Sequence, residues 1–220
     1  MIASGKVLAL GGPDLKVPEG AQVVDCKGKT ITPGLIDASF RASNSPDMNE
    51  QGDEVTPHLR VLDSLDPDDK SFTRAREGGV TTAHVMPGTR NVIGGLGCVV
   101  KTFAKDPQAM VVKADASLRI VMGGEPSAGN RAIRGGQVDS IYYRRPTTRM
   151  GVVWEVRRSF YDAKEAMQQT LGAPNTPPSP GTEVLMRVLK GQLTAVTTAR
   201  SEQDLRTALR IANEFGYKTV

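Results

Sequence analysis

Gly28-Lys29-Thr30-Ile31-Thr32-Pro33-Gly34-Leu35-Ile36-Asp37-Ala38-Ser39-Phe40-Arg41 is the stretch whose reading decides the fold. A polar turn feeds an apolar run, Pro33-Gly34 interrupts it, and it resumes as Leu35-Ile36. Proline beside glycine redirects the backbone sharply. A buried strand is therefore expected at about Leu35–Ala38, where the chain leaves one substructure for another.

Upstream, residues 1–31 read as short strands and turns. Lys6–Leu10 is apolar and closes on Gly11-Gly12-Pro13-Asp14; Ala21–Cys26 is a second such run, stopped by Lys27-Gly28. Downstream, strands and helices alternate, which predicts βα units and a parallel sheet. After the first strand comes a long polar loop, 41–66, containing Asn44-Ser45-Pro46-Asp47 and Gln51-Gly52. A helix is expected over Asp68–Glu77, a strand over Val80–Met86, and another after the glycine-rich Asn91–Gly97. Met110–Lys113 and Leu118–Met122 read as a strand pair. Apolar residues spaced by three and four, from Met150 and Trp154 to Phe160 and Met167, predict a helix over Thr147–Gln169. A Pro-rich loop over 171–181 precedes a short helix, Glu183–Leu189, and a strand, Leu193–Ala199. Ser201–Phe215 carries an N-cap serine and a terminal Gly216, with Leu205, Ala208, Leu209, Ala212 and Phe215 on the expected inner face. Tyr217–Val220 opens a further strand.

The 220 residues carry 39% hydrophobic and 24% charged side chains, an ordinary globular balance. The net charge of +4 is dispersed, and with 5% aromatics there is no interleaved basic patch, so nucleic acid is excluded as the natural partner. No run reaches the roughly 18 apolar residues of a membrane span. Cys26 and Cys98 have no C-x-x-C spacing and suit a reducing compartment, so a cytoplasmic location is expected.

The opening stretch resembles the first barrel strand of the amidohydrolase superfamily, T-P-G-L-I-D-A-H-x-H. Gly78-Gly79-Val80-Thr81-Thr82, Val85-Met86-Pro87-Gly88, Asn91-Val92-Ile93-Gly94-Gly95 and Thr148-Arg149-Met150-Gly151 extend the resemblance over nearly the whole chain. It looks like the imidazolonepropionase-like or prolidase-like branch. The resemblance implies a partial (β/α)8 TIM barrel over 32–220, preceded by part of a small β-sandwich subdomain over 1–31. A whole barrel needs roughly 250 residues. The chain is therefore expected to be the N-terminal portion of a larger protein, with a signal peptide still open if sequence precedes Met1.

The family activity is metal-dependent hydrolysis of C–N bonds other than peptide bonds. Its zinc, or another divalent metal, binds at the strand ends through histidines, and H-x-H works because residues two apart on a strand share a side. Here those positions hold Ser39 and Arg41, and Thr197 stands in the fifth strand where the family shows histidine. Arginine has no lone pair to offer a metal and is a permanent cation. No cofactor is expected from this stretch, although a guanidinium there supplies part of the missing positive charge. His58, Arg60, Asn91 and Arg149 are candidate ligand-binding residues. His84 reads as an interior histidine, and Asp37 as a backbone-bonding one. Lys101 has no neighbouring histidines with which to bridge metals.

Three readings follow. One is a catalytically impaired or altered homologue that takes a small amide-type ligand, as a homo-oligomer or paired with a catalytic paralogue. The second is an active metal-dependent amidohydrolase with ligands supplied beyond Val220. The third is a truncated, non-functional fragment.

Overall fold

Pro33-Gly34 divides the computed structural model into two units, Met1–Pro33 and Gly34–Val220. Residues 1–42, 48–50, 52–104, 106–128, 146–172 and 177–220 are described. The expected loop segments Asn44–Asp47, Gln51 and Pro174 lie outside them.

In the first unit β1 (Ile2–Ala3) pairs antiparallel with β2 (Lys6–Val7). Ser4 and Gly5 both have positive φ, the backbone of a tight two-residue hairpin. The second expected strand, Ala21–Cys26, does not form. Val23 and Val24 are exposed, and β-propensity without a hydrogen-bonded neighbour makes no strand. The described residues of this unit thus hold one short two-stranded ribbon.

The second unit is built on a curled five-stranded sheet in sequence order: β3 (Leu35–Phe40), β4 (Val80–Val85), β5 (Ile93–Lys101), β6 (Val111–Val121) and β7 (Thr194–Thr198). The expected parallel sheet is only partly realised. β3 with β4 and β6 with β7 are parallel, whereas β5 is antiparallel to both neighbours. Chain length is the reason. Parallel neighbours need a crossover of about a dozen residues or more. The connections on either side of β5 are shorter than that, so the strand folds back on each neighbour in turn. The expected strand pair at 110–122 is one continuous strand, β6, entered through a single helical turn, α2 (Pro107–Met110). Because β5 is the one reversed strand, β3, β4, β6 and β7 all point the same way.

The helices clothe the sheet. α1 (Lys70–Glu77) starts at Asp69, whose carboxylate accepts from the Ser71 amide at 2.7 Å. α3 spans Arg149–Gly172 and α4 spans Pro180–Leu189, so both ends of the expected loop 171–181 are helical. Pro180 begins α4 because the first helical turn needs no amide hydrogen there. α5 (Glu202–Phe215) runs from its Ser201 cap to Gly216, whose φ of 77° terminates it.

Two apolar cores result. The larger packs Leu118, Ile120 and Ala195 of the sheet against Val156, Phe160, Val188, Ile211 and Phe215 of α3, α4 and α5. Phe160 lies against Phe215 and Tyr217, with ring centres 5.3 and 4.7 Å away. The smaller centres on Phe72 of α1, stacked on Phe40 at 5.0 Å and packed with Val85, Cys98 and Val100. The tail of the chain bridges Ala195 through Thr219 in parallel, as the expected strand at Tyr217–Val220 requires.

Candidate functional site

Strand alternation decides what reaches the sheet's concave side. Phe40, Ala83 and Val85 are committed to the core behind the sheet. Their neighbours Ser39, Arg41 and His84 therefore project the other way. At the C-terminal ends of the four co-directed strands a cavity of about 960 Å3 opens. Ser39 lines it from β3 and Arg41 from just past its end, with Met48 and Asn49 from the loop that follows. The turn Met86–Arg90 lines it after β4, Arg119 and Glu125 from and after β6, and Thr198 and Arg200 from and after β7.

The cavity is cationic: Arg41, Arg90, Arg119 and Arg200 face a single described carboxylate, Glu125. Glu125 accepts from Arg200 Nε at 2.7 Å and Nη2 at 3.1 Å, and from the Thr89 hydroxyl. Burial alone raises the Glu125 pKa. The Thr89 and Arg200 bonds, with the charges of Arg200 and Arg119, outweigh it and hold the carboxyl below its ordinary value. Arg119 is pulled down by burial and by Arg200, against the attraction of Glu125. Its Nε is buried without a hydrogen-bond partner, and its Nη1 meets Met86 Sδ at 3.2 Å.

Behind this rim, His84 of β4 reaches across β5 to Ser117 of β6, Nε2 to Oγ being 2.8 Å. Nδ1 lies 3.2 Å from the Ala38 carbonyl, which can only accept. Nδ1 therefore carries the proton and Nε2 accepts from the serine. The arrangement is that of a base beside a hydroxyl nucleophile. Ser117 is buried, however, and neither residue lines the cavity, so the pair is an interior brace. Burial, reinforced by the charge of Arg119, lowers the His84 pKa despite the opposing Ala38 bond.

The four candidate ligand-binding residues are not brought together. His58 is exposed, and Arg60 faces Asp115 at 3.6 Å. Asn91 is buried and donates to the Asp53 carbonyl at 3.0 Å, fastening the preceding loop to the sheet. Arg149 ion-pairs with Asp204 at 3.0 Å. None of the four lines the cavity. Thr197 faces away as well, its hydroxyl 2.6 Å from that of Thr219; Thr198 at the end of β7 and Arg200 just after it are the residues that reach the site. Lys101 donates to Thr82 at 3.0 Å, at the opposite end of β4 from the cavity. Asp37 accepts from the Ser39 amide at 2.9 Å. The ionisable residues that sequence reasoning missed are Arg90, Arg119, Glu125 and Arg200. Arg119 had one signal, a charge inside the apolar run Leu118–Met122.

The donor set does not fit a divalent metal. Among the described residues no three His, Cys, Asp or Glu side chains gather, and the cavity instead gathers guanidinium groups. A zinc site needs three or four nitrogen, sulfur or carboxylate donors around one point.

The chain is 30% identical over 173 positions to the amidohydrolase tasK of Hapsidospora irregularis, a match covering 71% of this chain. It also superposes along its whole length on the crystal structure of an amidohydrolase from Thermotoga maritima, with a TM-score of 0.86 and 31% identity. The chain is an amidohydrolase homologue. It spans 17% of the length of tasK and 58% of the Thermotoga chain. No protein-family model matches it. In this amidohydrolase homologue the cavity occupies the strand-end face on which barrel enzymes place their chemistry. Among the described residues no helix is long and apolar enough to cross a membrane.

Proposed function

We propose that this amidohydrolase homologue binds a small amide-type molecule in the strand-end cavity, and that hydrolysis of non-peptide C–N bonds by the usual metal route is impaired or altered in it. One observation carries the reading: Ser39 and Arg41, at the positions that the resemblance assigns to H-x-H, line a cavity whose other ionisable groups are three arginines and a glutamate. Arg41 repels a divalent ion, and Ser39 is a poor ligand for one. Glu125, already held by Arg200 and Thr89, is not free to act as a base.

The second reading, an active metal-dependent hydrolase, is favoured by the length of the relatives. Each extends well past the matched region and has room for further metal ligands. Elemental analysis after dialysis and reconstitution with zinc separates the two. We expect well under one equivalent of metal and no metal-dependent hydrolysis of simple amides. Stoichiometric zinc accompanied by turnover would establish the second reading instead.

A further inference from the structure

Three of the four cavity arginines have no carboxylate partner among the described residues. Arg200 is matched by Glu125 through two hydrogen bonds. That pair shows, within the chain itself, how a carboxylate seats at this rim. Arg119 is the exception to ordinary arginine behaviour. It is half-buried, its Nε is buried and unpaired, and the nearby Glu125 is already engaged by Arg200. Burying a polar donor without a partner carries a desolvation cost with no hydrogen bond in return. A guanidinium cannot shed its charge to escape that cost. Arg41 and Arg90, both exposed, add two more guanidinium groups around the same opening.

We propose that the cavity is an oxyanion site. It takes a small molecule bearing two negative charges, a dicarboxylate or a phosphate monoester, with Arg119 holding the anion at the base and Arg41 and Arg90 closing on it from the rim. Planar guanidinium forks match both carboxylate and phosphate oxygens, and charge-assisted bonds of this kind are the strong ones. The volume of about 960 Å3 leaves room for an amide-bearing remainder beside the anionic group. The inference deepens the proposed function by naming the charge of its ligand and rests on the same cavity, but it holds whether or not C–N bonds are hydrolysed there.

Calorimetric titration of the purified chain at fixed ionic strength, with succinate, inorganic phosphate and the uncharged succinamide, tests it. Succinate or phosphate should bind and succinamide should not, and the tighter anion identifies the carboxylate or the phosphate class. Arg119→Met should weaken that binding about tenfold or more, the loss of a hydrogen bond to a charged group. Arg206→Gln removes the same charge from the exposed pair with Glu202 on α5, and should change it by less than about twofold. Arg119→Lys, which keeps the charge without the fork, should fall between the two. Should Arg119→Met fail to fold, Arg41→Gln and Arg90→Gln carry the same expectation at exposed positions. Binding of neither anion, equal binding of succinamide, or equal losses in the Arg119 and Arg206 variants would overturn the proposal. Stoichiometric zinc alongside anion binding would sink only the impaired-metal reading. Absence of both would sink only this one.

Discussion

Gly97 is the residue through which His84 and Ser117 meet. A Cβ at this position would lie 2.9 Å from the Val85 carbonyl, 3.0 Å from Ser117 Oγ and 3.1 Å from His84 Nε2. Two of those neighbours form the brace itself, and the third is backbone of β4. Gly97→Ala should therefore destabilise the fold by about 1–3 kcal/mol, measured by urea unfolding, because the overpacked strand has nowhere to move. His84 carries a pH signature as well. Its folded pKa is depressed below the ordinary 6.5, so just below that pH the unfolded chain binds more protons than the folded one. Stability contributed by neutral His84 is present above pH 6.5 and is lost as pH falls through that value toward the folded pKa. Replacing His84 with Gln should flatten the fall in unfolding free energy between about pH 7 and pH 5, the histidine range. An unchanged slope would mean that His84 does not titrate with folding.

α5 shows how far an element can be read from its letters and where the reading stops. Its limits were legible. Ser201 caps it, accepting from the Asp204 amide at 3.2 Å, and Gly216 ends it. Ser201→Ala should cost about 1 kcal/mol in thermal or urea unfolding, the usual loss of a cap, and more if Asp204 is left short of a partner. Its buried face was half legible. Ala208, Ala212 and Phe215 are inside as expected, but Leu205 and Leu209 are more than half exposed, and Ile211, which was not expected on the inner face, is fully buried. Leucines at 205 and 209 and the residues at 208, 211 and 215 form neighbouring helical rows, so the period is the same and only the rotation differs. The sheet decides that rotation, and it is built from residues far away in sequence. Ile211→Ala should thus cost about 2–5 kcal/mol, whereas Leu209→Ala should stay within about 0.5 kcal/mol. Met150 and Trp154 of α3 failed in the same way, exposed while Val152 and Val156 are buried.

Across the whole molecule, order should follow the sheet. β4, β5 and β6 are paired on both sides and backed by the apolar cores, so their amides should be the slowest to exchange with deuterium. Met1–Pro33, where many of the larger apolar residues are exposed, should exchange soonest. Slow exchange in the first unit would contradict this gradient. The site follows the same logic of distance. Ser39 and Arg41 could be picked out because a local pattern predicts what should stand there. Glu125 could not, and Arg119 showed only as a charge in an apolar run, because what brings them to the same cavity as Arg41 is the pairing of β3 through β7, and no local pattern encodes which strand is whose neighbour.

The reversed direction of β5 also sorts the loops. The turn entering β5 belongs to the cavity, whereas the turn leaving it, around Phe103, sits beyond Lys101 at the far end of β4. Phe103 is exposed, and Cys98 is buried with its thiol pushed up to about 11, which leaves it inert to alkylation at neutral pH. A cysteine placed at Phe103, with Cys26 changed to serine, would take a fluorophore or surface tether in a single orientation. The far end of the sheet is thus a handle by which the molecule can be held while its cavity stays open to whatever is offered.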